Sequence, residues 1–183
     1  MSANQLPPFA EIEVRLKARI RDVPDFPEPG ILFRDITPLL GDAATLRLAI
    51  DAMVAPYRGA PIDHIVGIES RGFLFGIPMA YLLGIGFIPV RKKGKLPFTT
   101  ITTEYALEYG TNAVEVHADA VQPGQRVLIV DDLLATGGTA AASVRLMEQV
   151  GAQVAGLAFA IELTALNGRR LLPGKDVLTL VRY

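Results

Sequence analysis

The stretch Arg-Val-Leu-Ile-Val-Asp-Asp-Leu-Leu-Ala-Thr-Gly-Gly-Thr, residues 126–139, decides how this chain of 183 residues folds. Residues 127–130 are consecutive apolar residues and most of them are β-branched, which is typical of a strand buried on both faces of a parallel sheet. Asp131 and Asp132 follow this strand, and a loop of small residues (135–139) leads into a predicted helix over residues 140–150. The stretch therefore predicts a strand–loop–helix unit of an α/β fold.

The loop at 135–139 has the composition of an anion site. Glycines let backbone N–H groups approach a phosphate closely, and the free amides of a helix N-terminus favour an anion. The loop lacks the lysine of the GxxxxGK[ST] loop and the spacing of GxGxxG. A phosphate on this loop, beside two carboxylates that accept hydrogen bonds from vicinal hydroxyls, describes a ribose 5-phosphate site. The residues alone equally allow a buried strand with a Gly-rich turn and two solvated acids.

The composition is that of an ordinary globular protein, and we expect a single domain over residues 1–183. Hydrophobic residues make up 50% of the chain and charged residues 20%. The formal net charge of −1 gives no indication of a nucleic-acid partner or an anionic membrane. The absence of cysteine excludes a disulfide scaffold and thiolate metal sites. It is compatible with an intracellular location, and we expect a cytoplasmic one.

Residues 72–90 form an uncharged run that is long enough on paper to cross a bilayer. Glycines and prolines interrupt the run, and Gly84 and Gly86 divide it into a helix-sized piece and a strand-sized piece. We therefore predict a buried helix followed by a buried strand, and no membrane partner.

Strands and helices alternate along the chain, which predicts a mainly parallel, doubly wound α/β sheet with right-handed crossovers. In chain order the predicted elements are helix 8–21, strand 31–36, helix 43–57 with Asp42 as its N-cap, strand 64–69, helix 73–83, strand 86–91, strand 127–130, helix 140–150, strand 154–161 and strand 176–182.

Residues 92–118 are predicted to form a long, mobile β-hairpin outside the sheet core. Long segments of this kind are usually functional lids or disordered. The segment begins with three lysines (Lys92, Lys93 and Lys95), which by themselves would be a solvated cluster. Their position directly after a core strand favours a contact between one of them and a phosphate ligand, and we choose Lys95.

The turn Glu69-Ser-Arg-Gly follows another predicted core strand. It can therefore face the same crevice as the phosphate loop. Its backbone amides and the guanidinium group of Arg71 suit phosphate oxygens. The residues leave open a plain surface ion pair between Arg71 and Glu69.

The complete stretch 127–139 resembles the motif with which the type I phosphoribosyltransferases bind 5-phosphoribosyl 1-pyrophosphate (PRPP). The resemblance implies that Asp131 and Asp132 hold the ribose hydroxyls. It implies a 5-phosphate cradle formed by Ala135, Thr136, Gly137, Gly138 and Thr139. It also implies that Ser70 and Arg71 bind the pyrophosphate half, which some members of the family do through a non-proline cis peptide, here Glu69–Ser70.

Other segments resemble the adenine phosphoribosyltransferase family within this group, and the similarity runs from about residue 14 to residue 181. The segments are 26–37, 69–76, 91–97, 105–110 and 162–164. The resemblance implies the type I phosphoribosyltransferase fold with a small N-terminal hood at about 22–40 and a lid at about 92–118. It also implies a homodimer.

The same resemblance implies which residues contact the base. Adenine would be bound by Leu32, Phe33, Arg34 and Leu163. Glu108 would hydrogen-bond the purine N7 and act in proton transfer, while Tyr109 would help to close the site. From the residues alone, Phe33 and Leu163 would be plain core residues and Glu108 a solvated acid.

The expected activity is transfer of the 5-phosphoribosyl group of PRPP to N9 of adenine, which yields AMP and pyrophosphate and serves purine salvage. Arg71, Lys95 and Mg²⁺ would stabilise the leaving pyrophosphate. The sequence contains no dedicated metal cage, so Mg²⁺ would arrive on the diphosphate. Two alternatives stay open: transfer to another purine base, and a PRPP- or nucleotide-sensing regulator on the same fold, which the near-neutral charge disfavours.

Overall fold

The computed structural model describes residues 6–106 and 111–183. The chain divides into two compact units, Met1–Ala52 and Met53–Tyr183. The predicted lid residues Glu108 and Tyr109 lie outside the described residues.

The first unit combines helices with a two-stranded antiparallel sheet. Its elements are α1 (Phe9–Lys17), β1 (Arg21–Pro24), β2 (Leu32–Asp35), α2 (Thr37–Gly41) and the greater part of α3 (Ala43–Val54). The amphipathic helix α1 buries Ile12 and Leu16, as its spacing predicts. The predicted N-cap of α3 is confirmed, because the carboxylate of Asp42 accepts a hydrogen bond from the backbone N–H of Thr45 at 2.8 Å.

The second unit is an α/β sheet of seven strands in the order β5-β6-β4-β3-β7-β8-β9. Its elements are β3 (His64–Ile68), α4 (Gly72–Leu83), β4 (Gly86–Lys92), β5 (Thr100–Ala106), β6 (Thr111–His117), β7 (Arg126–Leu134), α5 (Gly138–Gln149), β8 (Gln153–Glu162) and β9 (Val177–Arg182). Five neighbouring strands, β4-β3-β7-β8-β9, are parallel. The predicted fold class is confirmed.

Strand β7 is buried on both faces, as its apolar run predicts. Val127 and Ile129 belong to a core cluster that includes the buried face of α5. Leu128 and Val130 are also fully buried, and because side chains alternate along a strand they face the other side of the sheet. The strand therefore lies at the centre of the unit and fixes the position of the residues at its carboxyl end, among them Asp131 and Asp132.

The topological switch point of the sheet lies between β3 and β7. From β3 the chain crosses through α4 to β4 on one side, and from β7 it crosses through α5 to β8 on the other. The pairing of β7 with β3 ends at Val130, whereas its pairing with β8 continues to Leu134. Asp131 and Asp132 consequently stand where β7 has lost one neighbour, and a crevice opens there.

The prediction of a hairpin outside the sheet core is wrong for the base of the hairpin. Strand β6 pairs antiparallel with β4 through Arg91 and Lys92, so the hairpin forms one edge of the main sheet. The physical reason is burial: Val114 and Val116 lie in the same core cluster as β7. The sequence did not indicate this burial, because the partner strand β5 is rich in Thr and Tyr.

The apolar run at 72–90 divides into a helix and a strand as predicted. Helix α4 ends at Leu83, and the left-handed conformation of Gly84 (φ +69°) closes it before β4 begins. The prediction that this helix is buried is wrong for one face, because Ile77 and Tyr81 are exposed. In the part of the chain that the structure describes, none of the helices has both the length and the apolarity that a bilayer crossing requires.

Candidate functional site

A polar cleft of about 380 Å³ occupies the switch point. Its walls come from the carboxyl ends of β3, β4 and β7, from the hairpin strands and from the first turn of α5. The lining residues are Ile68, Glu69, Ser70, Arg71, Val90, Arg91, Lys92, Tyr105, Asn112, Val114, Asp131, Asp132, Leu133 and Thr139. The predicted residues Asp131, Asp132, Ser70, Arg71 and Thr139 thus share one cavity.

Two neighbouring carboxylates form the floor of this cleft. Asp132 is 4% exposed, and its backbone N–H donates to Oδ1 of Asp131 at 2.9 Å. Burial and the adjacent charge of Asp132 raise the pKa of Asp131 well above its usual value. Burial also raises the pKa of Asp132, although the guanidinium of Arg71 opposes that shift. Hydrogen bonds donated by neutral hydroxyl groups would stabilise the ionised form of this pair without adding a charge to the cleft.

Arg71 forms an ion pair across the cleft with Asp132. Its Nε lies 2.9 Å from Oδ2 of Asp132. Glu69 accepts hydrogen bonds from Nε of Arg91 at 3.1 Å and from the backbone N–H of Lys92 at 3.0 Å. Arg71 therefore faces the acids, and the Glu69–Ser70 bond beside it is cis.

The phosphate loop surrounds a second, smaller pocket of about 80 Å³ that adjoins the cleft. Asp131, Leu133 and Thr139 line both cavities. The complete predicted cradle, Ala135, Thr136, Gly137, Gly138 and Thr139, lines the small pocket. Because α5 begins at Gly138, its unpaired first amides lie at this pocket and favour an anion.

Gly137 is required by the shape of this loop. Its φ of +86° lies in the left-handed region, which disfavours other residues, and a Cβ there would collide with the carbonyl oxygen of Gly168. A Cβ at Gly168 would in turn meet the carbonyl of Ala135. The backbone of the loop therefore rests directly on the backbone of residue 168.

The three lysines of the hairpin base are arranged differently from the prediction. Lys92 lines the cleft, whereas Lys95 does not. The backbone of Lys95 is held by Glu115, whose Oε1 accepts its N–H at 2.8 Å, and its carbonyl accepts a hydrogen bond from Arg91 at 2.8 Å. Lys92 is thus the lysine that the structure places on the wall, and the role of Lys95 stays a prediction.

The predicted base contacts Leu32, Phe33 and Arg34 lie on β2 of the first unit. Phe33 packs edge-on against Phe26, with ring centroids 5.1 Å apart. Arg34 pairs with Asp22 on the facing strand. Leu163 belongs to the second unit.

Comparison with known proteins bears directly on this site. The family model of the phosphoribosyl transferase domain matches residues 40–179. A relative named adenine phosphoribosyltransferase, from Acidothermus cellulolyticus, is 55% identical over 96% of this chain and 99% of its own.

The chain belongs to the adenine phosphoribosyltransferase family.

Solved structures of the family have the same fold. The adenine phosphoribosyltransferase of Rhodothermus marinus superposes with a TM-score of 0.91 at 55% identity, over 95% of this chain and 99% of its own. The enzyme from Saccharomyces cerevisiae, complexed with an imino-altritol bisphosphate and adenine, superposes with a TM-score of 0.89 at 43% identity, over 93% of this chain and 99% of its own.

In this adenine phosphoribosyltransferase, the surroundings of the predicted base contact Leu163 include an ion-pair network that the sequence did not reveal. Glu162 is 5% exposed and accepts hydrogen bonds from Arg169 at 2.6 and 2.8 Å and from Thr179 at 3.0 Å. The backbone N–H of Leu163 donates to the carbonyl of Leu134 at 2.9 Å. This backbone bond holds Leu163 beside the end of β7, and the network fixes the residue before it.

We expect Glu162→Gln to lower the free energy of unfolding by about 1.5–3 kcal/mol, the contribution of hydrogen bonds to a charged group. The reduction in Tm would be about 3–12 °C for a chain of this size. Arg169 lowers the pKa of Glu162 in the folded state. The stabilisation is therefore present above the unfolded pKa and is lost as pH falls through the folded pKa.

Thermal unfolding at several pH values measures this effect. The difference in Tm between wild type and Glu162→Gln should be largest near neutral pH and should narrow in the acid range. Glu148→Gln is the matched control, because Glu148 is an exposed acid in a surface ion pair with Lys175. A loss of stability that does not depend on pH would contradict the electrostatic origin.

Some lining residues of this family member were missed from the sequence. Arg91 is one of them: it follows Val90, which pairs with Ile68, so the register of the two parallel strands would have placed Arg91 beside Glu69 of the predicted turn. Tyr105 and Asn112 line the cleft from the hairpin. Their participation follows from the attachment of the hairpin to the sheet, which the sequence did not indicate.

Proposed function

We propose that this chain transfers the 5-phosphoribosyl group of PRPP to N9 of adenine and releases AMP and pyrophosphate, as a cytoplasmic enzyme of purine salvage. The observation that carries the proposal is the junction of the two cavities. Two carboxylates suited to ribose hydroxyls lie between a Gly-rich anion pocket and Arg71. A ligand with a phosphate at one end, vicinal hydroxyls and a diphosphate at the other matches this order.

The chemistry follows from the charges of the cleft. Breaking the bond between C1 and the pyrophosphate oxygen leaves positive charge on the ribose and negative charge on the leaving group. Asp131 and Asp132 would hold the ribose hydroxyls, and Arg71 with Lys92 or Lys95 would stabilise the leaving diphosphate. Fixed charges of this kind contribute most where water is excluded. The attacking N9 of adenine then forms the new bond to C1, and the proton that the imidazole ring of adenine loses would pass to Glu108, the residue expected to act in proton transfer at N7.

A magnesium ion is proposed to arrive on the diphosphate of the substrate. Magnesium binds one or two carboxylates together with substrate phosphates and retains several waters. Asp131 and Asp132 provide such carboxylates, and residues 6–106 and 111–183 contain no group of three or more acidic, His or Cys side chains that could hold a metal ion. When bound, Mg²⁺ would neutralise part of the charge of the diphosphate.

A product assay tests the reaction. The protein is incubated with PRPP, Mg²⁺ and adenine, hypoxanthine or guanine in separate reactions, and the nucleotides are identified by chromatography. AMP formation with adenine is expected, as is its loss when EDTA removes the metal. Product with hypoxanthine or guanine alone would overturn the base assignment, and no product with any base would favour a nucleotide-sensing role.

The proposed homodimer is supported by an apolar stripe on α4. Four large side chains at helical spacing are between 40% and 85% exposed: Leu74, Ile77, Tyr81 and Leu82. Exposed apolar patches of this kind commonly mark protein interfaces. We expect light scattering to give twice the chain mass for wild type and a monomer for Ile77→Asp. An unchanged mass for this variant would remove the stripe from the interface.

A further inference from the structure

Tyr105 connects the hairpin to the phosphate loop. Its hydroxyl oxygen accepts a hydrogen bond at 3.2 Å from the hydroxyl of Thr139, the last residue of the predicted 5-phosphate cradle. Both residues line the large cleft, and Thr139 also lines the small anion pocket. The contact thus joins two segments that are far apart in the sequence at the boundary of the two cavities.

The position of Tyr105 is fixed by other contacts of the same strand. Its ring packs against the core cluster that contains α5. Two residues earlier on the same face of β5, the buried hydroxyl of Thr103 donates to the side-chain oxygen of Gln149 at 2.9 Å. Because Gln149 ends α5 and Thr139 lies in its first turn, β5 is attached to both ends of this helix.

A bound phosphate would reverse the direction of this hydroxyl–hydroxyl bond. Each hydroxyl has one proton to donate and two lone pairs to accept with. A phosphate oxygen only accepts, and its negative charge makes it a stronger acceptor than a neutral hydroxyl. When a phosphate occupies the loop, the proton of Thr139 therefore points to the phosphate. The lone pairs of Thr139 are then left to accept the proton of Tyr105.

We propose that Tyr105 is a positioning residue for the 5-phosphate: it donates a hydrogen bond to Thr139 and thereby turns the Thr139 hydroxyl proton toward the bound phosphate. This inference rests on the proposed function and deepens it. It concerns the phosphate end of PRPP and AMP and leaves the pyrophosphate end unaffected.

The test compares Tyr105→Phe with wild type by isothermal titration, using ribose 5-phosphate and pyrophosphate as separate probes. The ring and its packing are kept, and only the hydroxyl is lost. We expect the Kd for ribose 5-phosphate to rise about fivefold, which corresponds to one net hydrogen bond. The Kd for pyrophosphate should stay unchanged, and in the enzyme assay the KM for PRPP should rise with little change in kcat.

A double-mutant comparison separates positioning from a general structural effect. If Tyr105 acts through Thr139, then adding Tyr105→Phe to Thr139→Val causes no further loss of ribose 5-phosphate affinity. Tyr57→Phe is the matched control, because Tyr57 lies in the turn before β3, near the amino ends of the strands, and does not line the cleft. This control should bind both probes as wild type does.

The outcomes distinguish this inference from the proposed function. A wild-type protein that binds neither ribose 5-phosphate nor AMP would overturn the proposed function and the inference with it. If wild type binds ribose 5-phosphate, three results would overturn the role of Tyr105 alone. They are an unchanged affinity in Tyr105→Phe, an equal loss for pyrophosphate, and additive losses in the double variant.

Discussion

Replacing both cleft acids, Asp131→Asn with Asp132→Asn, is expected to weaken PRPP binding about 100-fold. Hydrogen bonds to a charged acceptor contribute about 1.5–3 kcal/mol, and those to a neutral one about 0.5–1.5 kcal/mol. A loss of roughly 1.4 kcal/mol at each acid, which lies within the difference between these ranges, gives a factor of this size for the two together. Isothermal titration with PRPP measures it, and pyrophosphate alone should still bind because Arg71 is retained.

Wild-type affinity for PRPP in the double variant would show that the assignment of the ribose is wrong. Asp119→Asn is the matched control, since Asp119 is an exposed acid in the turn after β6. It should bind PRPP as wild type does.

The same acids also affect stability. Burial and the charge of Asp132 raise the folded-state pKa of Asp131. The cost of ionising Asp131 is therefore absent below the unfolded pKa of about 3.9, grows as pH rises toward the folded pKa, and is fully present above it. Asp131→Asn should consequently raise the Tm at neutral pH and lose this advantage in acid.

Replacing Glu108 by Gln is expected to lower kcat by about 10²–10⁴-fold, the range typical of general acid–base catalysis. Glu108 lies outside the described residues, so the expectation rests on the resemblance to the adenine phosphoribosyltransferase family. A proton acceptor or donor at N7 of the purine acts on the base and not on PRPP. The affinity for PRPP should therefore change much less than kcat.

Steady-state kinetics and PRPP titration on the same preparation separate the two quantities. Glu104→Gln is a suitable control, because Glu104 is an exposed acid on the described part of the same hairpin. An unchanged kcat in Glu108→Gln would remove Glu108 from the chemistry, and an equal loss in Glu104→Gln would point to the hairpin charge in general.

The centre of the fold could be predicted because local patterns coincide with tertiary roles there. The apolar run before Asp131 is long and β-branched enough that only a buried strand accommodates it. Asp42 caps α3 because a short carboxylate reaches the amide three residues later whatever the rest of the chain does. The position of the two acids at a carboxyl edge follows from the same strand assignment.

The partners of charged side chains could not be predicted, because they depend on contacts between distant segments. Arg71 forms an ion pair with Asp132, which is distant in sequence and comes from the adjacent strand of the sheet. The choice between Lys92 and Lys95 depends on Glu115, which holds the intervening turn from the far strand of the hairpin. Neither relation has a local signature.

The ion pair between Arg71 and Asp132 has a consequence for the order in which ligands bind. A free anion that takes Arg71 away leaves Asp132 buried without its cation, and a free sugar that occupies Asp132 leaves Arg71 without its acid. The half-ligand that binds first therefore bears the full free-energy cost of separating the ion pair. The second half-ligand binds to a cleft in which the pair is already separated. Ribose 5-phosphate and pyrophosphate should bind cooperatively, each lowering the Kd of the other by the same factor.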